Sequence, residues 1–128
     1  MEKLSPRLDM ADKPWTKGAS FPGGDFAGGD FPRFLQDMAN HHGWVPPELL
    51  ARWARSYGTR LLQMIGDATA IKDLGEEVVP GLYEAEIAYL RRAEWAETAE
   101  DILWRRSKLG LHAGEGAAET LEAYLTRA

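Results

Sequence analysis

Cysteine is absent from the 128 residues, which removes thiolate nucleophiles, disulfides and cysteine-ligated metal centres together. Histidine is scarce: His41, His42 and His112 are the only imidazoles available as bases or ligands. No apolar run approaches the roughly 18 residues a membrane span needs, and nothing near Met1 has the layout of a signal peptide. A cytoplasmic chain without a transmembrane segment is therefore expected. No stretch alternates with period two for long enough to read as a strand, and no GxGxxG or Walker spacing is present to cradle a phosphate. Basic residues are outnumbered 15 to 20, giving a net charge of -5, which argues against a general polyanion binder and leaves room only for a local basic patch.

What is present reads as one domain with a real core. Residues 1–20 mix charges, Pro6 and Pro14 with few apolar anchors and predict an extended lead-in. Trp15 is its exception, expected to dock on the body of the domain because its burial contributes about a few kcal/mol. Residues 21–31, FPGGDFAGGDF, repeat Gly-Gly-Asp-Phe at a spacing of five. No strand precedes the glycines. A calcium loop fails as well, because Ala27 and Gly29 stand where oxygen ligands belong. The segment reads as a tight loop pinned by Phe26 and Phe31, with glycines supplying positive φ.

Asp30 is the N-cap of the first helix, with Pro32 in its first turn and Phe31, Phe34, Leu35, Met38 and His42 as its apolar stripe; Gly43 ends it. His41 and His42 are adjacent, so on a helix they point about 100° apart and do not chelate one ion. Pro46 and Pro47 open the next helix, with Leu49, Leu50, Trp53, Ala54 and Tyr57 buried and Arg52 and Arg55 expected in solvent. Gly58 and Thr59 interrupt the pattern, which resumes over residues 60–65. Residues 66–80 form a connector with one apolar turn at 70–74. A last helix carries Ala117, Ala118, Leu121, Tyr124 and Leu125.

Residues 81–112 are the densest stretch. Tyr83, Ile87 and Leu90 recur at helical spacing, Glu84, Glu86, Arg91 and Arg92 are assigned to the wet side, and the helix should end near Trp95. Thr98 followed by Asp101 approximates a capping box. Ala99, Ile102 and Leu103 then line one face, Trp104 is expected to be buried, and Arg105, Arg106 and Lys108 suit the negative end of the helix before Gly110 stops it. The fold expected is all-α, a compact bundle-like domain of five or six short helices.

Chemistry is thin by contrast. Each histidine has a simpler role at a helix end or on the surface, and the paired carboxylates Glu84 with Glu86, or Glu97 with Glu100 and Asp101, read as surface charge. Glu94, Arg105 and Arg106 suggest an ion pair between two helices. No catalytic, cofactor-binding or metal-binding residue is assigned. Arg52, Arg55 and Arg60 around a helix–turn–helix leave one alternative open, a free-standing helical nucleic-acid or protein-interaction module, although their spacing matches no DNA-reading motif. An independent hydrolase or metal enzyme lacks nucleophiles and ligands.

The run over residues 82–112 closely resembles the C-terminal helical domain of FAD-dependent aerobic glycerol-3-phosphate dehydrogenases. It includes Glu94-Trp95-Ala96, Thr98-Ala99-Glu100-Asp101 and Leu103-Trp104-Arg105-Arg106-Ser107-Lys108-Leu109-Gly110. Trp15-Thr16-Lys17-Gly18, Pro22-Gly23-Gly24-Asp25-Phe26 and Tyr57-Gly58-Thr59-Arg60 agree in the same order. The resemblance implies a parent flavoenzyme, peripheral on the inner face of the cytoplasmic membrane, that oxidises glycerol 3-phosphate to dihydroxyacetone phosphate and passes electrons to quinone. Flavin and substrate would belong to a larger N-terminal part. Residues 1–20 would then join that part, residues 21–128 would be an accessory, non-catalytic domain, and Met1 would start an excised piece. The partners implied are that N-terminal FAD and substrate domain and a second copy in a homodimer, not nucleic acid; within the chain itself, Trp104, Arg105 and Arg106 are the candidate contact surface.

Overall fold

A computed structural model describes residues 16–127; the docking expected of Trp15 lies outside them. Among the described residues the order is α1 (Phe31–His41), α2 (Pro47–Tyr57), α3 (Leu61–Ile65), β1 (Glu77–Val79), β2 (Leu82–Tyr83), α4 (Glu84–Glu94), a π-helix (Asp101–Arg106) and α5 (Ala117–Arg127), with short 3-10 turns between them. The helical bundle expected from the sequence is thus present.

Local chemistry explains most boundaries. Asp30 accepts from the Arg33 amide at 3.1 Å and caps α1. Pro46 and Pro47 open α2, whose buried residues are Leu49, Leu50, Trp53, Ala54 and Tyr57, the five read from the periodicity. Phe26 stacks on Phe34 at 5.0 Å and meets Phe31 edge-on at 6.3 Å, so the glycine loop is pinned by aromatic contacts. Gly23 and Gly58 touch: the Thr59 amide donates to the Gly23 carbonyl at 3.0 Å, and a Cβ on Gly58 would stand 1.7 Å from that oxygen. Both glycines have positive φ.

A hairpin, β1–β2, stands where the sequence predicts only a connector. Its strands are three and two residues long, too short for an alternation to register, but Pro80-Gly81 is a recognisable turn pair and Gly81 has φ 79°. Val79 pairs with Leu82 and Glu77 with Tyr83 across a bulge. Val79 and Leu82 point inward, and α5 packs against β1. One core runs through Trp53, Leu61, Leu82, Leu90, Ile102 and Leu121, all fully buried.

The helix after Thr98 departs from expectation in its winding. The cap itself forms: Asp101 accepts from the amides of Glu97 and Thr98, each at 3.1 Å, and its own amide donates to the Thr98 hydroxyl at 3.1 Å. Beyond it the Ser107 amide and hydroxyl both donate to the Ile102 carbonyl, at 3.1 and 2.6 Å, which holds a wide i to i+5 turn. Each residue of such a turn advances less around the axis than in an α-helix. Ile102 and Leu103 take the core side; the position after them turns away from that face, and Trp104 stands at the edge, 42% exposed instead of buried. Gly110 is not the stop either. The left-handed residue is Lys108, at φ 60°, and Gly110 serves another purpose: a Cβ there would lie 2.4 Å from the Trp104 ring.

Candidate functional site

The most organised polar group centres on a carboxylate whose sequence context predicts a surface position. Glu86 is completely buried. Its Oε1 accepts from Arg52 Nη1 at 2.7 Å and the Tyr57 hydroxyl at 2.6 Å; its Oε2 accepts from Arg52 Nη2 at 2.6 Å and Trp53 Nε1 at 2.8 Å. Arg52 Nη2 also donates to the Gly81 carbonyl at 2.6 Å. Three residues of α2 thereby clamp one carboxylate of α4 and the turn of the hairpin. The placements of Arg52 and Glu86 on exposed faces are both corrected, and for the same reason: each sits in the apolar stripe of its helix and neutralises the other.

Electrostatics follow the geometry. Burial alone would depress the Arg52 guanidinium, but hydrogen bonding to Glu86 and its charge outweigh that and raise it. Burial, reinforced by the Glu86 charge, pushes the Tyr57 hydroxyl well above its ordinary value. Tyr57 therefore stays protonated and donating. With both oxygens of Glu86 engaged twice, little acceptor capacity remains to take a proton from a substrate. The cluster is suited to holding α2, α4 and the hairpin together.

A cleft of about 440 Å³ opens beside it, lined among others by Pro46, Leu49, Arg52, Gly81, Tyr83 and His112. His112 stands there without a serine or threonine among the lining residues to activate. His41 Nδ1 lies 2.7 Å from the Asp37 carbonyl, and His42 packs edge-on to Trp44 at 6.5 Å. Among the described residues no three His, Asp or Glu side chains converge in a metal-binding group.

The other predicted charges are also placed. Arg60 pairs with Glu94 at 3.3 Å, so Arg52 and Arg60 are both engaged within the domain. The link between Glu94 and the π-helix is not the expected carboxylate pair: Arg106 Nε donates to the Glu94 carbonyl at 2.9 Å, and Arg105 pairs with Glu100 and Asp101 instead. Trp104, Arg105 and Arg106 all lie on the exposed side of the π-helix.

A dinucleotide has no matching cradle among the described residues. The glycine-rich segment of residues 21–30 ends at Asp30, whose carboxylate already occupies the N-terminus of α1 where a pyrophosphate would bind. Among the described residues no strand precedes that segment.

Fold and site together define a small helical domain whose buried polar cluster is committed to its own structure. The chain matches, over residues 15–127, the family described as the C-terminal domain of alpha-glycerophosphate oxidase, and it belongs to that family. It is 40% identical over 125 residues to a glycerol-3-phosphate dehydrogenase of Pseudomonas aeruginosa, covering 98% of this chain and 24% of that protein. It is 39% identical over 115 residues to a D-erythritol 1-phosphate dehydrogenase of Brucella abortus, covering 90% and 23%. The aerobic glycerol-3-phosphate dehydrogenase of Escherichia coli is 35% identical over 111 residues, covering 87% and 22%. The chain thus spans about a quarter of the length of these relatives.

Proposed function

We propose that this chain is the non-catalytic C-terminal domain of an FAD-dependent glycerol-3-phosphate dehydrogenase. The parent would oxidise glycerol 3-phosphate to dihydroxyacetone phosphate and deliver electrons to quinone at the inner face of the cytoplasmic membrane. The observation that carries the reading is 40% identity over 98% of this chain to only 24% of a glycerol-3-phosphate dehydrogenase. Among the described residues no helix is long and apolar enough to cross a membrane, so attachment would fall to another part of the parent or to surface contacts. The nearly equal identity to an erythritol 1-phosphate dehydrogenase suggests that the choice of polyol phosphate is made outside this domain.

Its partners would be the parent's own N-terminal FAD and substrate domain and a second subunit. The exposed Trp104, Arg105 and Arg106 are offered to the latter. Engagement of Arg52 and Arg60 inside the domain favours protein partners over nucleic acid. The full-length protein is expected to carry one FAD per chain and to reduce a quinone analogue when given glycerol 3-phosphate. The 128-residue chain titrated with FAD should bind none. Stoichiometric flavin on the 128-residue chain would overturn the accessory reading.

A further inference from the structure

We infer that the face built by residues 21–30 and Leu62 is where this domain docks on the body of the flavoenzyme that precedes it, a step that rests on the functional reading above. The loop is presented rigidly. Phe21-Pro22-Gly23-Gly24 forms a turn closed by the Gly24 amide on the Phe21 carbonyl at 2.9 Å, Gly23 is clasped to Gly58 and Thr59, and Phe26 is stacked on Phe34. Little ordering entropy remains to be lost on contact. Yet Phe21, carried on this fixed turn, is 86% exposed, and Leu62 nearby on α3 is 43% exposed.

Between the loop, α1 and α3 lies a groove of about 250 Å³ with Phe26, Phe34, Met38 and Leu62 on its walls; its charged lining is Asp25, Asp30 and Asp37 against the single cation Arg33, so the rim is net negative. The Asp30 carboxylate is committed to the cap of α1. Those of Asp25 and Asp37 have no ion-pair partner among the described residues. An apolar floor with carboxylates at its edge fits an apolar surface that carries a lysine or arginine. Chain continuity indicates which protein supplies it. The family is a C-terminal domain and the relatives are about four times longer, so the remainder of the parent would lie on the N-terminal side of this domain, the side from which the chain leads into residues 21–30.

Hydrogen exchange of the 128-residue chain and of the full-length flavoprotein tests this. Amides of residues 21–30 should exchange about tenfold or more slowly in the full-length protein. Phe21→Ser, or Asp25→Lys to reverse the rim charge, should return them to the rates of the 128-residue chain, while the same substitutions leave the Tm of the 128-residue chain unchanged. Equal exchange at 21–30 in both proteins overturns the docking face, wherever else protection appears. Protection that survives both substitutions overturns it too. Flavin content separates the two readings: a full-length protein without flavin discards the flavoenzyme assignment, whereas a flavin-loaded protein with unprotected 21–30 discards this face alone.

Discussion

Glu86 shows how a residue type can mislead where its position does not. Tyr83, Glu86, Ile87 and Leu90 fall on one helical stripe, and so do Leu49, Arg52 and Trp53 on α2; the spacing placed both charged residues inward. A carboxylate followed by two arginines on the same helix reads as solvated, and no local pattern reveals a partner 34 residues away. Glu86→Gln keeps the shape but sets an amide donor against Arg52, Trp53 or Tyr57. It should cost about 3–5 kcal/mol, typical of stranding one member of a buried ion pair, read as a lower urea midpoint. Replacing the pair together, Arg52→Met with Glu86→Leu, should recover only part of the loss, since Trp53 Nε1 and the Tyr57 hydroxyl lose their acceptor. Full loss of cooperativity in neither variant, with midpoints unchanged, would contradict the clamp. Gly110 is a second residue-scale case. Its φ is ordinary, so the cost of Gly110→Ala is steric, about 1–3 kcal/mol, and should come with a shift in tryptophan emission as the Trp104 ring is displaced. Because Trp104 is itself 42% exposed, truncating it to Ala should cost less than a fully buried tryptophan would, and the two substitutions should be less than additive.

At the scale of elements, helix starts were legible because caps are local: Asp30, the Pro46-Pro47 pair and the Thr98–Asp101 box each act within four residues. The π winding and the hairpin were not, since the first depends on how Ser107 satisfies Ile102 and the second on inward burial of Val79 and Leu82 against α4 and α5. The cap at Asp101 carries its own pH signature. Hydrogen bonds from the amides of Glu97 and then Thr98 lower its carboxyl from 3.8 to about 2. A carboxyl whose folded value is depressed stabilises the fold fully above its unfolded value and loses that contribution as pH falls through the folded one. The Tm difference between the wild-type chain and Asp101→Asn should therefore be constant above about pH 5 and shrink between about pH 4 and pH 2. A difference that stays level through this window would mean the charge of Asp101 contributes nothing to the cap.

On the scale of the whole molecule, the predominantly helical class and the family resemblance, which the family match bears out over residues 15–127, were legible, whereas the site that organises the core was not. Periodicity reports which way a side chain faces along one helix; it carries no information about which helix it will meet. The clamp around Glu86 also has a kinetic consequence. Its donors lie in α2 and its acceptor in α4, with α3 and the hairpin between them, so none of its bonds can form until the intervening chain, 29 residues from Tyr57 to Glu86 and 34 from Arg52, has been looped back. Until then a carboxylate and a guanidinium would each be desolvated without its partner, so half-assembled cores containing one of them are penalised. Refolding of this domain should accordingly proceed in a single exponential phase, with residues 47–94 entering the native state together.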